Sequence, residues 1–106
     1  MTTPDPLFEA MTPLGFRVGA TRLVWNQIVT IKHPIMSGCE TEAQDALQNP
    51  DEVRRSRSDS NVYLFYKEKC PGRWTCAVAK QTDGDGFLIT AYPTDAIKEG
   101  ERIWIR

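Results

Sequence analysis

The sequence predicts an α+β fold, with two N-terminal helices packed on an antiparallel sheet of about four strands. Three observations predict it. Apolar residues recur at helical spacing before Pro50, runs rich in aromatic and branched residues follow it, and two turn signals separate those runs. The chain has 106 residues, the size of one domain. Residues 1–13 hold three prolines and little periodicity, and read as an irregular lead-in to a single domain over 14–106.

Residues 14–20 have the composition of a short strand. Thr21 is a suitable N-cap for the segment that follows, in which Val24, Ile28 and Ile31 recur on one stripe widened by Trp25 and Val29. Pro34 stops this first helix, because the residue before proline avoids the helical region, and so His33 stands at the helix C-terminus. Ser37 and Glu40 have capping-box spacing and open a second helix through Ala43, Ala46 and Leu47, ended by Asn49-Pro50. Strands are expected over 52–57, 61–67, 74–80, 86–92 and 103–106. Lys69-Cys70-Pro71-Gly72 and Asp83-Gly84-Asp85-Gly86 supply the turns on either side of 74–80.

Strand alternation sorts the side chains by face. Val62, Leu64 and Tyr66 share one face; Tyr63 and Phe65 share the other. Trp74, Cys76, Val78 and Lys80 go together, as do Leu88, Thr90 and Tyr92, and Val53, Arg55 and Arg57. One sheet face covers the helices; the other is where Arg, Lys, Thr and Tyr can gather.

Several function classes lack their residues. The three cysteines form no CxxC and the single histidine stands apart, so no structural zinc site or disulfide framework is expected, and no cofactor. No glycine-rich loop with GK[ST] supports nucleotide hydrolysis. The Asp83–Gly86 segment starts like a calcium loop, but Thr94 stands where the twelfth-position glutamate belongs. No apolar run reaches the length of a membrane span and the N-terminus has no signal-peptide pattern, so a cytoplasmic location is expected. The net charge of −1 is unevenly spread: residues 53–80 carry seven basic and two acidic side chains inside an otherwise acidic chain. Such a segment can hold a local anion but not coat a long nucleic acid.

Four stretches carry a resemblance: VWNQIVTIKHP, ALQNPDEVRRSRSDSNVYLFYK, WTCAVAK and GFLITAYPTDAIKEGERIW. They resemble small bacterial and phage-type domains of the barnase/EndoU/colicin/RelE-like nuclease superfamily. Members show a histidine-proline pair ending the first helix, an NPDEV segment entering a basic strand, a tyrosine-rich strand and a TAYPTD ending. The resemblance covers about residues 21–104. Lys32 stands where the group often has arginine, and Ile35 where many members have glutamate.

The resemblance implies metal-independent cleavage of RNA by a toxin-like domain, with RNA and a small antitoxin-like protein as the expected partners. A ribose 2′-hydroxyl attacks the adjacent phosphorus, which calls for a proton acceptor, a proton donor and cations around the charged transition state. Histidine is the side-chain type that changes charge near neutral pH, and a helix C-terminus favours the cationic ring, so His33 suits a proton donor or phosphate ligand. Arg55 can bind phosphate through two parallel bonds. With His33, Arg55 and Thr90 as the catalytic candidates, Tyr66, Lys80 and Tyr92 are the candidates for holding substrate. The alternative is a non-catalytic module of the same fold that uses its sheet to hold a protein or nucleic acid; a third reading is a small-ligand anion site on the basic strands.

Overall fold

A computed structural model describes residues 5–106. Its seven strands are β1 (Pro6–Met11), β2 (Arg17–Thr21), β3 (Glu52–Arg55), β4 (Val62–Cys70), β5 (Arg73–Thr82), β6 (Asp85–Thr94) and β7 (Glu101–Ile105). They form a single sheet in the order β1-β2-β6-β5-β4-β3-β7. All neighbours are antiparallel except β2 and β6, which run parallel. Two helices, α1 (Arg22–Gln27) and α2 (Glu40–Gln48), lie between β2 and β3 in the chain.

This corrects the expected sheet of about four antiparallel strands preceded by helices. The missed element is β1, which pairs with β2 before α1; β2 overlaps the short strand expected over 14–20, and its parallel pairing with β6 makes the sheet mixed. Residues 6–11 form β1, whereas an irregular lead-in was expected over 1–13; residues 1–4 of that lead-in lie outside the described residues. The prolines obscured it. Pro6 is tolerated at the start of β1 because an edge strand has only one ladder to satisfy. Thr12 closes the hairpin, its backbone N–H and hydroxyl both donating to the Phe16 carbonyl at 3.0 and 2.9 Å.

The helical region starts as expected and then departs. The Thr21 hydroxyl accepts from the Val24 N–H at 3.2 Å and caps α1. After Gln27 the chain widens into a π turn over Ile28–Lys32, and the His33 N–H reaches back five residues to the Ile28 carbonyl. That extra residue breaks the helical stripe: Ile28 is buried but Ile31 is 77% exposed. A 3₁₀ turn over Pro34–Met36 follows, and Gly38 adopts a φ of +82°. The second helix therefore starts with Cys39 as its N-cap and no side-chain cap, so the expected Ser37–Glu40 capping box does not form.

Both helices cover one face of the sheet. Trp25, Ile28, Ala43, Ala46 and Leu47 pack there with Val18, Val53, Phe65, Ala77, Ala79, Leu88 and Ala91. The small alanines 77 and 79 of β5 let α2 approach the sheet closely. A smaller cluster of Leu64, Tyr66, Cys76 and Val78 occupies the opposite face, and Ile97 from the strap between β6 and β7 packs onto it.

Two alternation patterns fail, each for a local reason. A bulge opposite Val78 and Ala79 gives β6 one extra residue. Leu88 therefore lies in the helix-side core, while Thr90 and Tyr92 line a cleft on the strap side. β3 ends at Arg55, and the following bend carries Arg57 to the strap-side cleft, whereas Arg55 stays with Val53 on the helix side.

The strap ends at Gly100, where the backbone cannot carry a side chain. Its φ is +82°, and an added Cβ would stand 2.6 Å from the Arg55 carbonyl oxygen. Gly84, in the tight β5–β6 turn, has a φ of +94° but open space around it. Gly84→Ala is expected to cost about 1 kcal/mol, from backbone strain alone. Gly100→Ala is expected to cost at least ~2 kcal/mol, because strain and backbone collision add. Urea unfolding of the two variants measures the difference; equal losses would show that the strap end relaxes freely.

Candidate functional site

The pairing of β6 determines where a site can form. β2 pairs with β6 only at Gly86 and Phe87, so from Leu88 onward β6 has a ladder on its β5 side alone. Such an edge leaves backbone groups needing partners. The Lys32 ammonium donates to the Ile89 carbonyl at 3.3 Å, and the His33 ring rests against Tyr92 with centroids 5.3 Å apart. The π turn supplies the extra residue that brings both side chains there.

Tyr92 is also a wall of a cleft of about 560 Å³ on the strap side of the sheet. Val62, Leu64 and Val78 contribute its apolar floor. Its polar lining includes the hydroxyl residues Ser56, Ser58, Thr90 and Tyr92 and the charged residues Arg57, Lys98 and Glu99. The charged set sums to +1. The Arg57 guanidinium donates to the Gly100 carbonyl at 3.4 Å, which ties this cation to the strap. Thr90 Oγ1 is buried and has no hydrogen-bond partner among the described residues. A buried hydroxyl without a partner costs about 1–3 kcal/mol, a cost that a ligand oxygen in the cleft would remove.

Behind the cleft, Tyr66, Cys76 and Tyr92 stand opposite one another across β4, β5 and β6. Burial pushes the Cys76 thiol up to about 12. Burial, followed by the neighbouring thiol, also raises both phenols above the usual tyrosine range. The row is therefore neutral at physiological pH and gives Tyr92 an uncharged support.

The six candidates separate. Thr90 and Tyr92 line the cleft, and His33 is joined to them through its ring contact with Tyr92 without lining the cleft itself. Tyr66 lies in the adjoining row but is only 1% exposed, so its ring offers no face to a base. Lys80 is on the strap side but its ammonium pairs with Asp59 at 3.1 Å; the Asn61 N–H and then Lys80 hold that carboxyl below the usual range. Arg55 is on the other face, over the Tyr63 ring. Sequence reading passed over Arg57 in favour of Arg55 and missed Lys98 and Glu99. Strand alternation carried Arg57 to the wrong face, and nothing in the segment after TAYPTD marks it as returning over the sheet. Among the described residues no three His, Cys, Asp or Glu side chains cluster, and no helix is long and apolar enough to cross a membrane.

The buried row has a measurable signature. Cys76 is fully buried and Cys70 exposed. In native protein at pH 8, Cys70 should react rapidly with a thiol reagent and Cys76 only after unfolding. The raised thiol pKa stabilises the fold fully below about 9.0, the ordinary value for a thiol, and that contribution is lost as pH rises towards about 12. Urea unfolding across this range should show stability falling, and Cys76→Ala should flatten the fall. Labelling of Cys76 as fast as Cys70 would mean that the row opens readily.

No family model matches the chain, and no curated protein or solved structure matches it either, so a functional reading rests on its own side chains and on the resemblance of its motifs.

Proposed function

We propose that this chain is a metal-independent endoribonuclease acting in the strap-side cleft. The observation that carries the reading is the placement of His33 against Tyr92, beside a cleft that holds the unpartnered Thr90 hydroxyl, Arg57, Lys98 and Glu99. The superfamily resemblance supports it, since the His-Pro pair and the TAYPTD motif contribute three of these residues.

The chemistry assigns each residue a role. Glu99 accepts the proton of a ribose 2′-hydroxyl as its oxygen bonds to the adjacent phosphorus. The bond from phosphorus to the 5′-oxygen breaks, and that oxygen takes a proton from the His33 imidazolium. The products are a 2′,3′-cyclic phosphate and a free 5′-hydroxyl. Arg57 and Lys98 offset the charge on the phosphoryl oxygens, and Thr90 donates a hydrogen bond to one of them. The apolar floor receives a base or ribose. A toxin-like enzyme of this kind takes RNA as substrate and a small antitoxin-like protein as inhibitor.

A non-catalytic binding module is the second reading. It is favoured by Arg55 and Lys80 not lining the cleft, which leaves Arg57 and Lys98 as the lining cations beside His33.

An RNA cleavage assay in chelator separates the two. His33→Ala should lower the rate by about 10²–10⁴ and Glu99→Gln comparably. Thr90→Val should lower it by about 10², while leaving stability unchanged or raising it by up to ~1 kcal/mol, because the orphaned hydroxyl is gone. Lys69→Ala, on an exposed strand end, should cleave normally. Wild-type protein that cleaves no RNA would overturn the enzymatic reading, as would full activity in all three cleft variants.

A further inference from the structure

Arg55 has no place in the cleft, yet its surroundings are those of an anion site. Among the described residues its guanidinium pairs with no carboxylate and donates no hydrogen bond, and its carbon stands 5.5 Å from the centre of the Tyr63 ring. Tyr63 packs against Phe16 in a tilted arrangement, at 5.4 Å between centroids, and its hydroxyl donates to Gln81 at 3.4 Å. These side chains line a second depression of about 320 Å³ on the helix side of the sheet. No carboxylate lines it, whereas Glu99 lines the main cleft and Glu42 and Glu40 line two others. A guanidinium placed over an aromatic ring keeps outer N–H groups free for an anion.

Position links this depression to the main cleft. Arg55 and Arg57 are two residues apart, so their Cα atoms lie within about 7 Å of one another. One faces each side of the sheet, because the strand ends between them. A single strand leaving the cleft past Arg57 meets Arg55 after rounding the end of β3.

From this we infer that Arg55, with Tyr63 and Gln81, forms a second phosphate-binding site that takes a flanking phosphodiester of single-stranded RNA already held in the cleft. The inference rests on the proposed RNA substrate but assigns Arg55 no part in bond breaking. Arg55 holds the phosphate and the Gln81 amide can donate to a phosphoryl oxygen, while the buried Tyr63 ring backs the guanidinium. The contact lengthens the bound stretch of RNA and adds no sequence preference.

The test uses full-length protein and an eight-nucleotide RNA blocked by 2′-O-methyl groups, beside a mononucleotide, with binding followed across salt concentrations. Arg55→Ala should bind the octamer about three- to fivefold more weakly, the effect of one exposed charge contact. It should bind the mononucleotide as wild type does. The slope of log K against log salt should become shallower by about 0.7, the value for one phosphate contact on a single strand. Arg55→Lys should restore the slope. On cleavable RNA, Arg55→Ala should raise KM and leave kcat unchanged. Octamer binding and salt slope unchanged in Arg55→Ala would overturn the second site, even if wild-type protein cleaves RNA. A shallower slope in a protein that cleaves nothing would uphold the second site while the nuclease reading fails. No binding of the octamer to wild-type protein would overturn both.

Discussion

The arrangement of this molecule depends on an incomplete strand pairing. β2 joins β6 over two residues and then leaves it, so the second half of β6 keeps an open ladder beside the helical segment. An open ladder in that position needs donors and cover. The π turn provides them by adding one residue to a helical turn, which sets Lys32 on the Ile89 carbonyl and His33 against Tyr92. A regular helix would keep Ile31 on the buried stripe and would carry His33 elsewhere. The same irregularity thus closes a sheet edge and places the single histidine beside the cleft.

The two faces of the sheet serve different ends. On the helix side, alanines at 77 and 79 admit α2 closely and the core is continuous from Phe16 to Leu47. On the other side the cover is a single strap, held at its end by Arg54 and Arg57 donating to the Gly100 carbonyl at 3.2 and 3.4 Å. A strap is narrower than a helix, and the sheet beside it stays open as the cleft. Arg54 is itself held by Glu52 at 2.6 Å, with both side chains largely shielded, which stiffens the anchor. The bulge in β6 completes the division by leaving Leu88 in the core while Thr90 turns towards the cleft.

Local chemistry and sequence patterns determined a definite part of this. Thr21 reads as a cap because a hydroxyl before a helical stripe can accept an early N–H, and it does so. Asp83-Gly84 reads as a tight turn because both residues tolerate positive φ, and their φ values are 47° and 94°. The runs at 61–67, 74–80 and 86–92 read as strands from branched and aromatic density, and they form the inner parts of the longer strands β4, β5 and β6. The histidine's place at the end of the first helical segment followed from Pro34. These are effects within a few residues, so the order of residues is enough to determine them.

Tertiary structure decided the rest. β1 starts on Pro6 and is followed by Pro13, which argue against a strand, and only its position at an edge, with α2 alongside, makes it one. Alternation assigns Arg55 and Arg57 to one face and Leu88 and Thr90 to another, but strand ends and bulges are set by the partner strands, and one residue of slip reverses every side chain beyond it. Lys98 and Glu99 belong to the cleft because the strap returns over the sheet, a path determined by the pairing of β7 with β3 across 46 or more residues of chain. The sequence by itself therefore determined which residues can cap, turn and extend. Which of them meet at the cleft was decided by long-range strand register, because register is an energy of the whole sheet and not of any one segment.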